Sequence, residues 1–167
     1  DQTTTEVERL RNALPDSELA GVFNALAAMC ALPLPEADAS PLAISTLRGQ
    51  FADNGEWCAD PSRPSVIVGT VDMIGSGLLF SRYSRGFKTR PLHAGFLAQD
   101  ALIVHDEAHL EPAFQKLLDS IVAEQERGAE LRKLRVIELT ATSRIGSSQL
   151  VAPFTLSDAD RRNDTVV

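Results

Sequence analysis

Positive charge is what this chain has least of. Only three of its sixteen basic residues are lysine, and against twenty-three acids they leave a net charge of -7. That balance excludes blanket electrostatic binding of nucleic acid, as by histones or basic arms. It leaves open a protein that grips phosphates with backbone amides and a few local arginines. Cysteine is nearly absent too: Cys30 and Cys58 form no CxxC pair, which excludes a disulfide framework or a cysteine-rich zinc site and fits a reducing compartment. No apolar run approaches the length of a membrane span, so no membrane partner is expected. A phosphate-cradling loop of the form G-x-x-x-x-G-K-[ST] is also missing. The nearest approach, Gly86-Phe87-Lys88-Thr89, has Phe87 in place of the second glycine and Arg82 in place of the first.

What is present is an ordinary globular composition, 44% hydrophobic over 167 residues, enough for one domain with a real core. The chain opens on a helical pattern, and a piece of something longer is expected. Thr3-Thr4-Thr5-Glu6 has capping-box spacing, and Val7, Leu10 and Leu14 continue a helix to about Leu14. Pro15 and Asp16 break it. Leu19, Val22, Phe23 and Leu26 predict a second helix ending before Pro33, and core packing is the expected use of both stripes. Strands are expected at 42–46 and 66–68, with residues 50 to 64 read as loop between them. A helical run follows through Leu79, and the polar stretch from Phe80 to Pro91, with Arg82, Arg85, Lys88 and Arg90, reads as a solvated loop or a contact tracking a nucleic-acid backbone.

The organising stretch is Leu102-Ile103-Val104-His105-Asp106-Glu107-Ala108-His109. Its apolar run predicts a strand buried on both faces of a parallel sheet, with the acids emerging at the carboxyl end. A helix follows, with Pro112 in its first turn, Phe114, Leu117, Leu118, Ile121 and Val122 on one face, and Gly128 as its cap. Val136 to Leu139 is the next strand, ending in Thr140-Ala141-Thr142. Strands alternating with helices predict an α/β fold with a mainly parallel sheet flanked by helices. Gly69-Thr70, Asp106-Glu107 and Thr140-Ala141-Thr142 then end strands on one edge and can form one surface. There Asp106 is a candidate ligand of Mg²⁺ through water, and Glu107 a candidate for orienting an attacking water. Two readings compete. His105 and His109 stand four apart as in the zinc protease motif, but that motif needs Glu directly after the first histidine, where Asp106 stands. In the other, the acids simply terminate a strand.

Asp106-Glu107-Ala108-His109 followed by Thr140-Ala141-Thr142 resembles motifs II and III of superfamily 2 helicases. The phrases GTVDMIGS (69–76), RPLHAG (90–95), QDALIVHDEAHLEP (99–112) and ELTATSR (138–144) are similar to the CRISPR-associated helicase-nuclease of type I systems, its I-U or I-G form most of all. Asp1-Gln2 and the helix after it resemble the end of that family's motif Ia. The resemblance implies a RecA-like fold, with 1–150 a partial first motor domain (motifs Ia to III) and 151–167 leading toward the second. It implies ATP and Mg²⁺ as cofactors, Asp106, Glu107 and His109 in catalysis, and Thr140, Ala141 and Thr142 coupling ATP turnover to strand movement. Arg48, Gly49, Gly69 and Thr70 would lie near single-stranded target DNA. A Cascade-type surveillance complex and the remaining domains of the same protein are the implied partners, in a prokaryotic cytoplasm. The Walker-A strand and loop, the second motor domain and the nuclease are absent, so the sheet is expected to be incomplete and the chain alone inactive. Another DEAH motor (a restriction translocase or RNA helicase) and a non-catalytic docking fragment are the alternatives.

Overall fold

Two short parallel ladders carry the fold. The structure, a computed structural model, describes residues 2–16, 18–34, 40–48, 55–82 and 86–140. In chain order these form α1 (Gln2–Ala13), α2 (Ala20–Met29), β1 (Ala43–Leu47), α3 (Glu56–Ala59), β2 (Ser65–Gly69), α4 (Val71–Leu78), α5 (Arg90–Ala98), β3 (Leu102–Asp106), α6 (Pro112–Arg127) and β4 (Arg135–Leu139). β1 pairs with β2 and β3 with β4, both parallel, with Ala43 opposite Ser65 and Leu102 opposite Arg135. The architecture is mixed α/β, two two-stranded parallel sheets flanked by helices. Parallel strands cannot be joined by a hairpin, so each pair needs a crossover: α3 serves the first and α6 the second.

The core lies on the face of the strands that carries α3 to α6. Leu47, Trp57, Leu78, Leu97, Phe114, Leu118 and Leu134 form it, and half-buried Ile67, Ile103 and Val136 pack against it from β2, β3 and β4. Trp57 is met edge-on by His93 and Phe96 of α5 at centroid distances of 5.1 and 6.0 Å. Gln125 ties the second crossover shut: its Oε1 accepts from Leu134 N at 2.8 Å while its Nε2 donates to Ala98 O at 2.9 Å. Gly128 caps α6 as its position predicts, its N–H directed at the carbonyls of Glu124 and Glu126.

Several expectations need correction. The stripes of α1 and α2 do not enter the core: neither helix has a fully buried residue, and Leu10, Leu19 and Val22 stand exposed. Helical periodicity reports that one face can be buried, but burial needs an opposing layer, and the main contacts of α1 are with β1, β2 and the turn after it. The expected capping box is not formed either. α1 starts at Gln2, so the threonines sit inside its first turn; Thr4 Oγ1 lies 3.2 Å from Thr46 Oγ1 and Glu6 pairs with Arg9. The solvated-loop reading fails at Arg82, which is 1% exposed with its guanidinium carbon 5.1 Å from the Trp57 ring centroid. The same stretch runs into α5, whose start at Arg90-Pro91 follows from proline's fit to a first helical turn. Arg85, the Asn54 turn signal and the boundary expected near residue 150 lie outside the described residues. Among the described residues, no helix is long and apolar enough to cross a membrane.

The approach to β2 is pinned by one carboxylate. Asp60 Oδ1 accepts from the Ser62 hydroxyl at 2.7 Å and the Ser62 amide at 2.9 Å, and Oδ2 accepts from Leu32 N at 3.1 Å. The Ser62 hydroxyl and amide hold the Asp60 carboxyl below its ordinary 3.8, against an opposing push from burial. A depressed folded pKa stabilises fully above 3.8 and loses its contribution as pH falls through the lower folded value. Urea midpoints measured from neutral pH down through that region should fall, and Asp60→Asn should flatten this acid limb. An unchanged slope in the variant would remove Asp60 from the account.

Candidate functional site

The site is built where β3 ends. Along β3 the side chains alternate: Ile103 and His105 turn toward the core, while Leu102, Val104 and Asp106 turn away from it. His105 is 3% exposed, its ring 4.9 Å from Phe114 and perpendicular to it. Its Nδ1 lies 3.0 Å from Gln115 Oε1, and Gln115 Nε2 donates to Asp119 Oδ1 at 3.1 Å. An amide oxygen only accepts, so Nδ1 carries the proton in this contact. Strand and helix are thereby locked together one residue before the first acid.

Asp106 is exposed, and its Oδ1 accepts from Glu107 N at 3.0 Å. Its other carboxylate oxygen has no hydrogen bond among the described residues. Glu107 then takes φ 51°, the left-handed region, and reverses the chain. The turn is closed by Leu110 N donating to Glu107 O at 2.8 Å and clamped to β4 by Ala108 N donating to Leu139 O at 3.2 Å. Ala108 is buried in consequence, and the two acids on either side of the reversal face solvent. His109 Nδ1 sits 3.3 Å from Glu107 Oε2 and 3.3 Å from Thr140 Oγ1. Either the His109 ring nitrogen or the Thr140 hydroxyl can donate between them, according to the tautomer, and the Glu107 carboxylate lies within ion-pair distance of the same nitrogen.

The structure therefore brings Asp106, Glu107, His109 and Thr140 together across the ends of two paired strands. Ala141, Thr142 and Gly49 lie outside the described residues. Gly69 and Arg48 line one groove of about 1500 Å³ together with Asp106. The absence of a side chain at Gly69 has a packing cause: a Cβ there would stand 3.0 Å from Ile74 Cδ1 and 3.2 Å from Leu47 Cβ. Thr70 caps α4, its Oγ1 accepting from Met73 N at 3.4 Å. The zinc-protease geometry does not form, because His105 points into the core from a strand and bonds Gln115. Among the described residues no three His, Cys, Asp or Glu side chains converge as metal ligands.

No protein-family model, curated protein or solved structure matches the chain. The site is thus read from its own chemistry. Sequence reasoning treated His105 only as a possible zinc ligand and missed its part in positioning. The available signal was parity, since His105 shares the inward face with Ile103. Gln115 and Asp119 carried no signal, because their contact with β3 depends on how α6 lies on the sheet.

One non-glycine residue is held in a left-handed conformation at this turn. Such a conformation costs about 1–2 kcal/mol, while glycine's extra freedom in the unfolded chain offsets about 0.4–1 kcal/mol. Glu107→Gly should therefore leave the thermal midpoint unchanged or raise it slightly. A clear fall would show that the exposed Glu107–His109 contact holds the turn.

Proposed function

We propose that this chain is part of the first RecA-like motor domain of an ATP-dependent superfamily 2 DNA translocase, of the kind that works with a nuclease in CRISPR interference. The observation that carries the reading is the grouping of Asp106, Glu107, His109 and Thr140 at the carboxyl ends of two paired parallel strands. Open α/β sheets use that edge for ligands. The phrases around these residues support the narrower family.

The residues suit the proposed cofactors in part. Mg²⁺ takes one or two carboxylates, keeps several waters and shares the phosphates of its nucleotide, so a single exposed carboxylate such as Asp106 is an adequate protein ligand. When bound, the ion would neutralise charge on the nucleotide's phosphates. The cradle for those phosphates is absent from the chain's sequence and would come from elsewhere in a longer protein. Glu107 would hold the attacking water and accept its proton. His109, within 3.3 Å of both Glu107 and Thr140, would pass a change at the acid to the end of β4. Arg48 and Gly69, at the groove, and Gly49 and Thr70, which follow them in sequence, remain candidates for phosphate contacts with single-stranded DNA. In such a protein Cascade-type recruitment and a prokaryotic cytoplasmic setting follow. A docking module is the second reading, favoured by the exposed apolar side chains Leu102, Val104, Ile137 and Leu139 on the outer face of β3 and β4.

In the complete motor, Glu107→Gln should abolish ATP turnover while nucleotide binding, followed by fluorescence of a labelled analogue, persists; undiminished hydrolysis would end the water-orienting assignment. The chain by itself should hydrolyse no ATP above background. An activity lost in Asp106→Asn would mean that it contains a phosphate cradle after all.

A further inference from the structure

Charge is spread unevenly along this chain. No acid stands between Asp72 and Asp100, yet Arg82, Arg85, Lys88 and Arg90 fall in that interval of a chain whose net charge is -7. Leu79, Phe80 and Phe87 are exposed in the same interval, at the end of α4 and just before α5, with Phe87 84% exposed. The fold brings these residues together. Phe87–Thr89 forms a tight helical turn of three residues that leads straight into α5, so Phe87 shares a face with Arg90. Arg90 Nη1 in turn donates to Phe80 O at 3.4 Å. Lys88, between them in sequence, is exposed.

Phe80 stands where local geometry favours another residue. Phe80 N donates to Gly77 O at 3.2 Å and Ser81 N to Ser76 O at 2.8 Å, the pair of bonds that closes a helix through a left-handed residue. Glycine is the usual occupant of that position, because it has no Cβ to crowd the backbone. Here a phenylalanine holds φ 58° and is 55% exposed, so its burial offsets little of the strain. A bulky side chain kept in a strained and exposed place points to a use outside the fold.

We infer that this patch docks an acidic, leucine-bearing segment of a partner protein, its leucines over Leu79, Phe80 and Phe87 and its carboxylates on Lys88 and Arg90. An apolar, aromatic centre with a charged rim is the anatomy of protein interfaces. The absence of acids from this stretch leaves the partner's carboxylates without a like charge to meet there. Nucleic acid fits less well. Its affinity grows with the number of phosphates neutralised, and Arg82 is withdrawn from that task by its buried place over Trp57. Leu79 offers no flat face to a base, and the net charge of -7 opposes a polyanion. A second copy of the chain fits poorly too, because a two-fold contact would set Lys88 and Arg90 against themselves. The patch is far smaller than the roughly 20–30 residues that a stable interface uses on each side, so the complex is a transient one. It lies on other elements than the outer face of β3 and β4 and needs no nucleotide chemistry, so it and the motor reading can fail separately.

Fluorescence anisotropy of labelled probes titrated with the full chain tests it, with NMR amide shifts to locate the contact. The probe is a peptide of repeated Glu-Leu-Asp-Asp-Leu units. Its controls are the same peptide with Gln and Asn in place of the acids, and single-stranded oligothymidine. The acidic peptide should bind and shift the amides of Phe80, Phe87, Lys88 and Arg90, and the neutral peptide should bind about tenfold more weakly or not at all. Lys88→Glu and Phe80→Gly should each weaken the acidic peptide about tenfold. The thermal midpoint of Phe80→Gly should meanwhile stay level or rise, because glycine relieves the left-handed strain. No binding of the acidic peptide at about 1 mM would overturn the inference, as would equal binding of the neutral one. Tighter binding of oligothymidine at the same amides would make this a nucleic-acid surface instead. Peptide binding that ignores both substitutions would place the contact elsewhere and end the assignment. A lower midpoint in Phe80→Gly would overturn it too, since Phe80 would then serve the fold.

Discussion

The structure depends on a constraint of parallel pairing: strands that run the same way must be joined by a crossover, and the crossover must be buried against them to be stable. In the β3–α6–β4 unit this burial is done by Phe114 and Leu118, with Leu134 closing the return. Phe114 also meets His105 edge-on, and Gln115 next to it bonds the same ring. The crossover that makes the ladder possible thus also fixes the strand residue before Asp106. Because β3 and β4 are in register, their ends arrive together, and Glu107 and Thr140 both come within 3.3 Å of one nitrogen of His109.

A left-handed residue and two exposed acids meet at that end. Asp106 faces solvent because its neighbours in the alternation, Ile103 and His105, are turned inward. Glu107 faces solvent because the chain reverses there in a left-handed conformation, and Ala108 is small enough to be buried beneath the turn. A chain selected only for stability has little reason to place two adjacent acids on such a reversal. That is why the arrangement supports a chemical use over the plainer view that the acids merely end a strand.

The layers over the sheets are uneven. On the β1 side, α1 covers one face and α3 to α6 the other. Among the described residues β3 has an exposed outer face, with Leu102 57% and Val104 54% exposed, where a strand buried on both faces was expected. Full burial of such a side chain contributes about 1.5–3 kcal/mol, so several unburied on one face represent stabilisation left unrealised. The sequence character of β3, apolar on both parities, belongs to a strand with layers above and below it.

Much of this was legible in the residues alone. The positions of α1, α2, α4 and α6 followed from helical spacing and caps, and β1 to β4 from short apolar runs between turn signals. That the strands are parallel followed from their alternation with helices. The acids at the end of β3 were visible because polar residues abruptly follow an apolar run. α5 was missed because its first residues, Arg90 and Pro91, read as the end of a polar loop, and Arg82 was misjudged because composition cannot show that its guanidinium lies over the Trp57 ring. Local chemistry determines which segments become helix or strand and where they stop. Which face is covered, which strand edge is paired, and which buried polar residues hold the site depend on contacts distant in sequence, and those only the tertiary structure decided.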